Sequence, residues 1–164
     1  MRPEIREIEL RPFLARIGER YHLIAKNKER LFRMDIDPEI PPFIQSDAHR
    51  LTQILDNLLG NAFKFTQEGE EVTLLVSRDF TRIRFEISDT GIGIPPENIP
   101  FLFDKFYQVA PFDARTKEGL GLGLAVTKGI VLALGGIIEI RQNTPKGTCA
   151  RVTLPIEPAE APRG

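Results

Sequence analysis

Residues 47–66 read DAHRLTQILDNLLGNAFKFT, and the spacing of side chains in this stretch decides most of the fold. Leu51, Ile54, Leu55, Leu58, Leu59 and Ala62 recur at the i, i+3, i+4, i+7 interval of a core-facing helix. Asp47 stands just ahead of them, where a side-chain oxygen caps the first free amides. A second stripe, Gln53, Asn57, Asn61 and Lys64, keeps the same period and lies about 120° around the wheel from the apolar one. Asn and Gly each weaken a helix by up to about 0.7–1 kcal/mol relative to Ala, so Asn57, Gly60 and Asn61 are an avoidable destabilisation on a face that only meets water. Either that stripe is a wet surface, or its amides bind something.

The 164 residues suit one domain, whose core needs neither disulfide nor metal. With 22 Lys plus Arg against 23 Asp plus Glu, no broad field favours nucleic acid or an anionic membrane, and any phosphate site has to be local. The single cysteine, Cys149, allows no internal disulfide and too few thiolates for structural zinc, in keeping with a reducing, cytoplasmic setting. The longest apolar run, 130–134 continued past Gly135 and Gly136 to Ile138, falls far short of the roughly 20 residues that span a bilayer, so direct membrane contact is not expected. Met1 is followed by Arg2, Pro3 and Glu4 instead of the apolar core of a signal peptide.

Working outward, residues 1–7 read as a linker from a preceding domain, and the folded unit is expected to span 8–156, with 157–164 as a tail that frays from Pro155 onward. Phe13, Leu14, Ile17, Tyr21, Ile24 and Ala25 predict an amphipathic helix over 12–28 that begins at Pro12. Residues 31–36 alternate as a half-buried strand, ended by Pro38, Pro41 and Pro42, and a short extended piece at 43–45 leads into the helix at 47–66. Strands follow at 72–77 and 82–88 around a tight turn, with Asp89 at the end of the second. A short helix is expected at 97–106, a mobile loop at 107–118, a helix from the glycine cluster through Leu134, and a closing hairpin of 137–142 with 149–154. Hairpin-linked strands and one-faced helices make an α+β two-layer sandwich, a mixed, mostly antiparallel sheet covered on one face by about three helices.

Two glycine clusters stand out, DTGIGIPP at 89–96 and GLGLGL at 119–124. Gly119, Gly121 and Gly123 would let backbone amides approach an anion at the start of a helix, or they are simply a flexible loop. Neither cluster is a P-loop, and Gly91, Gly93 and Pro95 do not complete GxGxxG.

Taken together and in order, NLLGNAFKFT, DTGIGIPP, FLFDKF, GLGLGL and the closing KGTCARVTLP closely resemble the ATP-binding catalytic domain of sensor histidine kinases in the GHKL ATPase superfamily. The resemblance implies the Bergerat-type ATP-binding fold with ATP and Mg2+ as ligands. It makes Asn61 the magnesium-coordinating residue and Asn57 its companion, neutral oxygen donors suited to an ion that also takes phosphate oxygens. Lys64 corresponds to the phosphate-contacting lysine and Phe65 to an aromatic beside the nucleotide. Asp89 corresponds to the acceptor of the adenine amine; guanine would present a carbonyl there. Gly91, Gly93 and Ile94 form the box along the base. Gly119, Leu120, Gly121, Leu122, Gly123 and Leu124 form the second box, where the 107–118 loop closes as a lid, and Thr148 helps hold Asp89 and a water.

Two positions depart from the family. Gln108 stands where many members carry a phosphate-reaching arginine, leaving Lys105 as the nearest cation, and Leu120 replaces a threonine. Related gyrase, MutL and chaperone ATPases have a glutamate where this chain has Asn57, and an amide cannot serve as a general base, so hydrolysis should be slow. His22 precedes Leu23 and His49 precedes Arg50, whereas a phosphoacceptor histidine precedes an acidic residue. The acceptor is therefore expected on a separate hairpin of a longer kinase, membrane-anchored or not, with a response-regulator aspartate downstream. A nucleotide-sensing module that does not transfer phosphate, or a GHKL-type ATPase, is the alternative.

Overall fold

A computed structural model of the chain describes residues 2–104 and 122–158. In chain order the elements are β1 (Arg6–Glu9), α1 (Leu10–Lys28), β2 (Leu31–Ile36), β3 (Phe43–Ser46), α2 (Ala48–Lys64), β4 (Glu71–Asp79), β5 (Arg82–Asp89), a 3-10 helix at Pro96–Phe101, α3 (Leu122–Ala133), β6 (Ile137–Gln142) and β7 (Thr148–Pro155). Five strands form one sheet in the order β2-β4-β5-β7-β6, and β1 pairs with β3 in a separate antiparallel ribbon.

Alternation sorts the sheet into two faces. Val72, Leu74 and Val76 of β4, Ile83, Phe85 and Ile87 of β5 and Val152 and Leu154 of β7 are all buried. The opposite face is polar, and there Arg151 donates to Glu86, its register partner across β5 and β7, at 2.7 Å. The three α-helices lie on the apolar face, α1 against β2, α2 against β4 and β5, and α3 against β6. Leu51, Ile54, Leu55 and Leu59 of α2 are wholly excluded from water, and burial of a leucine stabilises by about 1.5–3 kcal/mol. The cap at Asp47 is in place, its carboxylate accepting from the Arg50 amide at 3.1 Å. On the flank of α2, Tyr21 stacks on Phe63 at 5.9 Å and donates to Asp56 at 2.6 Å, while Arg20 reaches the same oxygen. Burial, then the bond to Asp56, pushes the Tyr21 phenol up from its ordinary value.

Several expectations change. Arg6 and Glu7 do not belong to a linker: Arg6–Glu9 pairs residue for residue with β3, Ile8 is buried, and the Glu4 amide donates to Asp47 at 2.9 Å. One buried side chain in four residues is too short a pattern to announce a strand. The first helix begins at Leu10, which puts Pro12 at its third position, where a missing N–H still breaks no helical bond. The sheet is mixed, as expected: β2 pairs with β4 in parallel, a geometry that the long crossover through β3 and α2 makes possible. The helix expected at 97–106 is a 3-10 helix at Pro96–Phe101 with Pro100 inside it. Pro155 and Ile156 do not fray, because the Ile156 amide donates to Thr81 and its carbonyl accepts from Gln45, at 3.0 and 2.8 Å. The loop 107–118 and the tail from 159 lie outside the described residues.

Candidate functional site

The end of α2, the end of β5 and the β6–β7 turn meet around Asp89, and α3 lies against α2. This carboxylate ends a strand whose inward positions are otherwise Ile83, Phe85 and Ile87, so the alternation that builds the core carries it inside, where it is 5 % exposed. Its Oδ1 accepts from the amides of Gly91 at 2.9 Å and Thr148 at 3.3 Å. Burial pushes the carboxyl above its ordinary value, and the two amide bonds oppose that rise without cancelling it. Both of these bonds go to Oδ1, and Oδ2 accepts none among the described residues.

Close backbone approach fixes the rest of this wall. A Cβ on Gly91 would sit 2.2 Å from the Phe65 carbonyl oxygen, and the neighbouring Ile92 amide donates to that same oxygen at 3.2 Å. A Cβ on Gly147 would sit 1.9 Å from the Asp89 carbonyl oxygen, at a φ of +105° that side chains disfavour. Gly93 packs on Gly147 in turn, and Gln142 donates to the Ile94 carbonyl at 3.0 Å. Asn143 donates to the Asp89 carbonyl at 2.9 Å. Outside, Lys146 and Glu70 pair at 2.8 Å and tie the β6–β7 turn to the turn after α2; the lysine holds the Glu70 carboxyl below its ordinary value.

The polar stripe of α2 runs up to Phe65, whose carbonyl belongs to this wall. Asn57 donates from Nδ2 to Thr127 of α3 at 3.0 Å, and Asn61, one turn on, is half-buried. Lys64 lies with its ammonium 5.8 Å from the centre of the Phe65 ring. The end of α2 is secured by Arg30, which donates to the Thr66 carbonyl at 2.6 Å. Asn57, Asn61, Lys64, Phe65, Asp89, Gly91, Gly93, Ile94 and Thr148 thus belong to the described structure, as do Gly123 and Leu124 in the first turn of α3. Lys105, Gln108, Gly119, Leu120 and Gly121 lie outside the described residues, as does the side chain of Leu122.

Thr148 acts on Asp89 through its backbone amide, a bond that its side chain does not supply. Gly147, Asn143 and Thr127 escape sequence reading. The first two sit in a turn whose only signal is its Asn and Gly content, whereas Thr127 is the lone polar residue on the buried side of an apolar helix. Among the described residues, nothing lies within 4 Å of a Cβ built on Gly60 or Gly123. A hollow of about 880 Å3 beside Arg78, Arg82, Leu134 and Ile156 is at the β4–β5 turn, the opposite end of β5 from Asp89.

A family model described as histidine kinase-, DNA gyrase B- and HSP90-like ATPase matches residues 46–158, which takes in α2, both turns and Asp89. The chain belongs to this ATPase family. ATP is accordingly the ligand that membership assigns to the domain. Across 95% of its length this ATPase domain is 35% identical to the sensory/regulatory protein RpfC of Xanthomonas campestris pv. campestris, and across 98% it is 32% identical to the sensor histidine kinase RcsC of Escherichia coli. It spans only 22% and 17% of those two proteins. Its fold superposes on full-length ShkA in complex with AMPPNP with a TM-score of 0.82 at 29% identity, covering 99% of the domain and 33% of ShkA. No helix among the described residues is long and apolar enough to cross a membrane.

Proposed function

We propose that the domain binds Mg-ATP with its adenine on Asp89 and donates the γ-phosphate to a histidine on a separate helical hairpin, from which it passes to a response-regulator aspartate. The observation that carries the reading is the Asp89 carboxylate: buried, fixed through Oδ1 by two main-chain amides, and presenting its other oxygen as an acceptor. The exocyclic amine of adenine satisfies it, and the carbonyl of guanine repels it. The kinase part of the proposal draws on the names of the relatives, a sensory/regulatory protein and a sensor histidine kinase.

The donor set fits magnesium. Asn57 gives its Nδ2 to Thr127 and keeps its carbonyl oxygen, Asn61 offers a second, and no group of three His, Cys, Asp or Glu among the described residues could hold a metal alone. An ion there would take most of its oxygens from triphosphate and water. When bound it supplies neutralisation of charge between phosphate groups.

The chain's residues act mostly by positioning, as phosphoryl transfer requires little covalent chemistry from the protein. Asp89 and the Gly91–Gly93 backbone hold the base, and Lys64 lies beside the phosphates. Asn57 carries no proton-accepting group, so water is not activated from that position. The two Asp89 and Asn57 ends of the cleft therefore favour a bound nucleotide that persists until an external acceptor arrives. Incubation with γ-labelled ATP, magnesium and the cognate histidine hairpin tests this. Label on the hairpin with slow phosphate release is expected; phosphate release outrunning transfer, or binding with no transfer, overturns the kinase reading.

A further inference from the structure

Thr127 is wholly buried on α3, and no step described above uses its hydroxyl. That hydroxyl donates to the Gly123 carbonyl one turn back at 2.7 Å and accepts from Asn57 Nδ2 at 3.0 Å, across 70 residues of sequence. A threonine hydroxyl has one proton and two lone pairs. Its proton is committed to Gly123, so only a lone pair faces Asn57. An amide meeting a lone pair must present its NH2 group; the reverse rotamer would set two acceptors against each other at the wholly buried Thr127 hydroxyl.

We infer that Thr127 is a positioning residue that fixes which way the Asn57 amide points, holding its carbonyl oxygen toward the cation of a bound nucleotide. The inference rests on the proposed reading of Asn57 as a magnesium ligand. It adds a cause: the orientation of an otherwise two-fold ambiguous side chain is set from another helix. It also adds a linkage. The acceptor of the Thr127 proton is Gly123, in the first turn of α3, so the helix that opens within the second glycine box holds the proton whose placement orients the ligand. If that turn unwinds, the hydroxyl is free to rotate, and the Asn57 amide loses its template.

Metal-ligating side chains are oriented by partners whose removal weakens metal affinity by about 10–100-fold. Thr127→Val preserves shape and removes both bonds, and Thr127→Ser keeps the hydroxyl. The purified chain is titrated with magnesium while the affinity for a fluorescent ATP analogue is read, and again in EDTA. Thr127→Val should raise the magnesium midpoint by about tenfold and leave the affinity in EDTA unchanged, and Thr127→Ser should restore the midpoint. In the nucleotide-free protein, NMR should find the Asn57 side-chain NH2 protons protected from exchange in the wild type and in Thr127→Ser. Asn57→Ala separates the two readings. A midpoint moved by Asn57→Ala and unmoved by Thr127→Val overturns the role of Thr127. A midpoint unmoved by either overturns the metal reading of Asn57 and the inference with it. Fast-exchanging Asn57 amide protons in the wild type overturn the inference even if Thr127→Val does not fold.

Discussion

Asn143 donates its side-chain amide to the main-chain carbonyl of Asp89 at 2.9 Å, across 54 residues of sequence. The turn that bears Asn143 also supplies Gly147 against the same carbonyl and the Thr148 amide to the carboxylate. Asp89 is thus clamped through both its peptide and its side chain by one hairpin turn.

Replacing Asp89 with Asn tests what the clamp leaves open. An asparagine oxygen accepts the Gly91 and Thr148 amides as before, and its NH2 takes the place of Oδ2, facing a donor with a donor. Loss of adenine nucleotide binding is expected in a fluorescence titration, with the melting temperature retained.

The same variant carries a pH signature. Burial raises the folded-state value of Asp89, so the folded chain takes up this proton more readily than the unfolded one. The ionised group therefore destabilises above its folded-state value, and stability is regained as pH falls through that value. Urea melts of ligand-free protein should find Asp89→Asn at least as stable as the wild type at neutral pH, with the difference shrinking in acid. A wild type favoured increasingly at high pH would contradict the assignment.

Gly147→Ala and Gly60→Ala should move stability in opposite directions. At Gly147 the new methyl meets the Asp89 carbonyl at 1.9 Å with φ at +105°, and about 2–4 kcal/mol should be lost together with nucleotide affinity. At Gly60, inside α2 with open space around it, alanine should add about 0.5–1 kcal/mol. Denaturant midpoints of both variants, read beside nucleotide titrations, check the pair.

Asp47→Ala removes the cap of α2 and the tie to the Glu4 amide, and a loss of about 1 kcal/mol or more is expected in urea melts. Burial pushes this carboxyl up, but the Arg50 and Glu4 amide bonds outweigh it and leave the value below ordinary. Its contribution is therefore full above the unfolded value of about 3.9 and lost as pH falls through the folded one, the opposite sense to Asp89.

Phe80→Gly should stabilise. Phe80 is 89% exposed and holds φ at +55° in the β4–β5 turn, so the ring contributes little packing while the backbone is in the left-handed region. A gain of about 0.5–1 kcal/mol in thermal or urea melts is expected.

Periodicity made α1, α2 and the sheet strands legible, because each long element repeats its buried face often enough to be counted. Ile8 alone could not announce β1, and no local pattern distinguishes the parallel β2–β4 pairing from a hairpin. Asn57, Asn61 and Lys64 on one helix and Asp89 at a strand end were legible as placements, and the structure has them there. Thr127, Asn143 and Gly147 were not, since each matters only through a partner 54 to 70 residues away in sequence or, for Gly147, through the space that a missing side chain leaves beside Asp89.

β7 is the last strand of the described chain, yet it lies between β5 and β6 inside the sheet. A chain growing from its N-terminus therefore cannot complete the central layer by adding strands at an edge. Until Thr148–Pro155 has emerged, β5 exposes an unpaired border, β6 has no neighbour, and Asp89 lacks the turn that clamps it. Pairings this distant in sequence close slowly. The surroundings of Asp89 and the sheet are thus completed by the same late event, and a polypeptide shortened by a dozen residues from Pro158 would lose both at once.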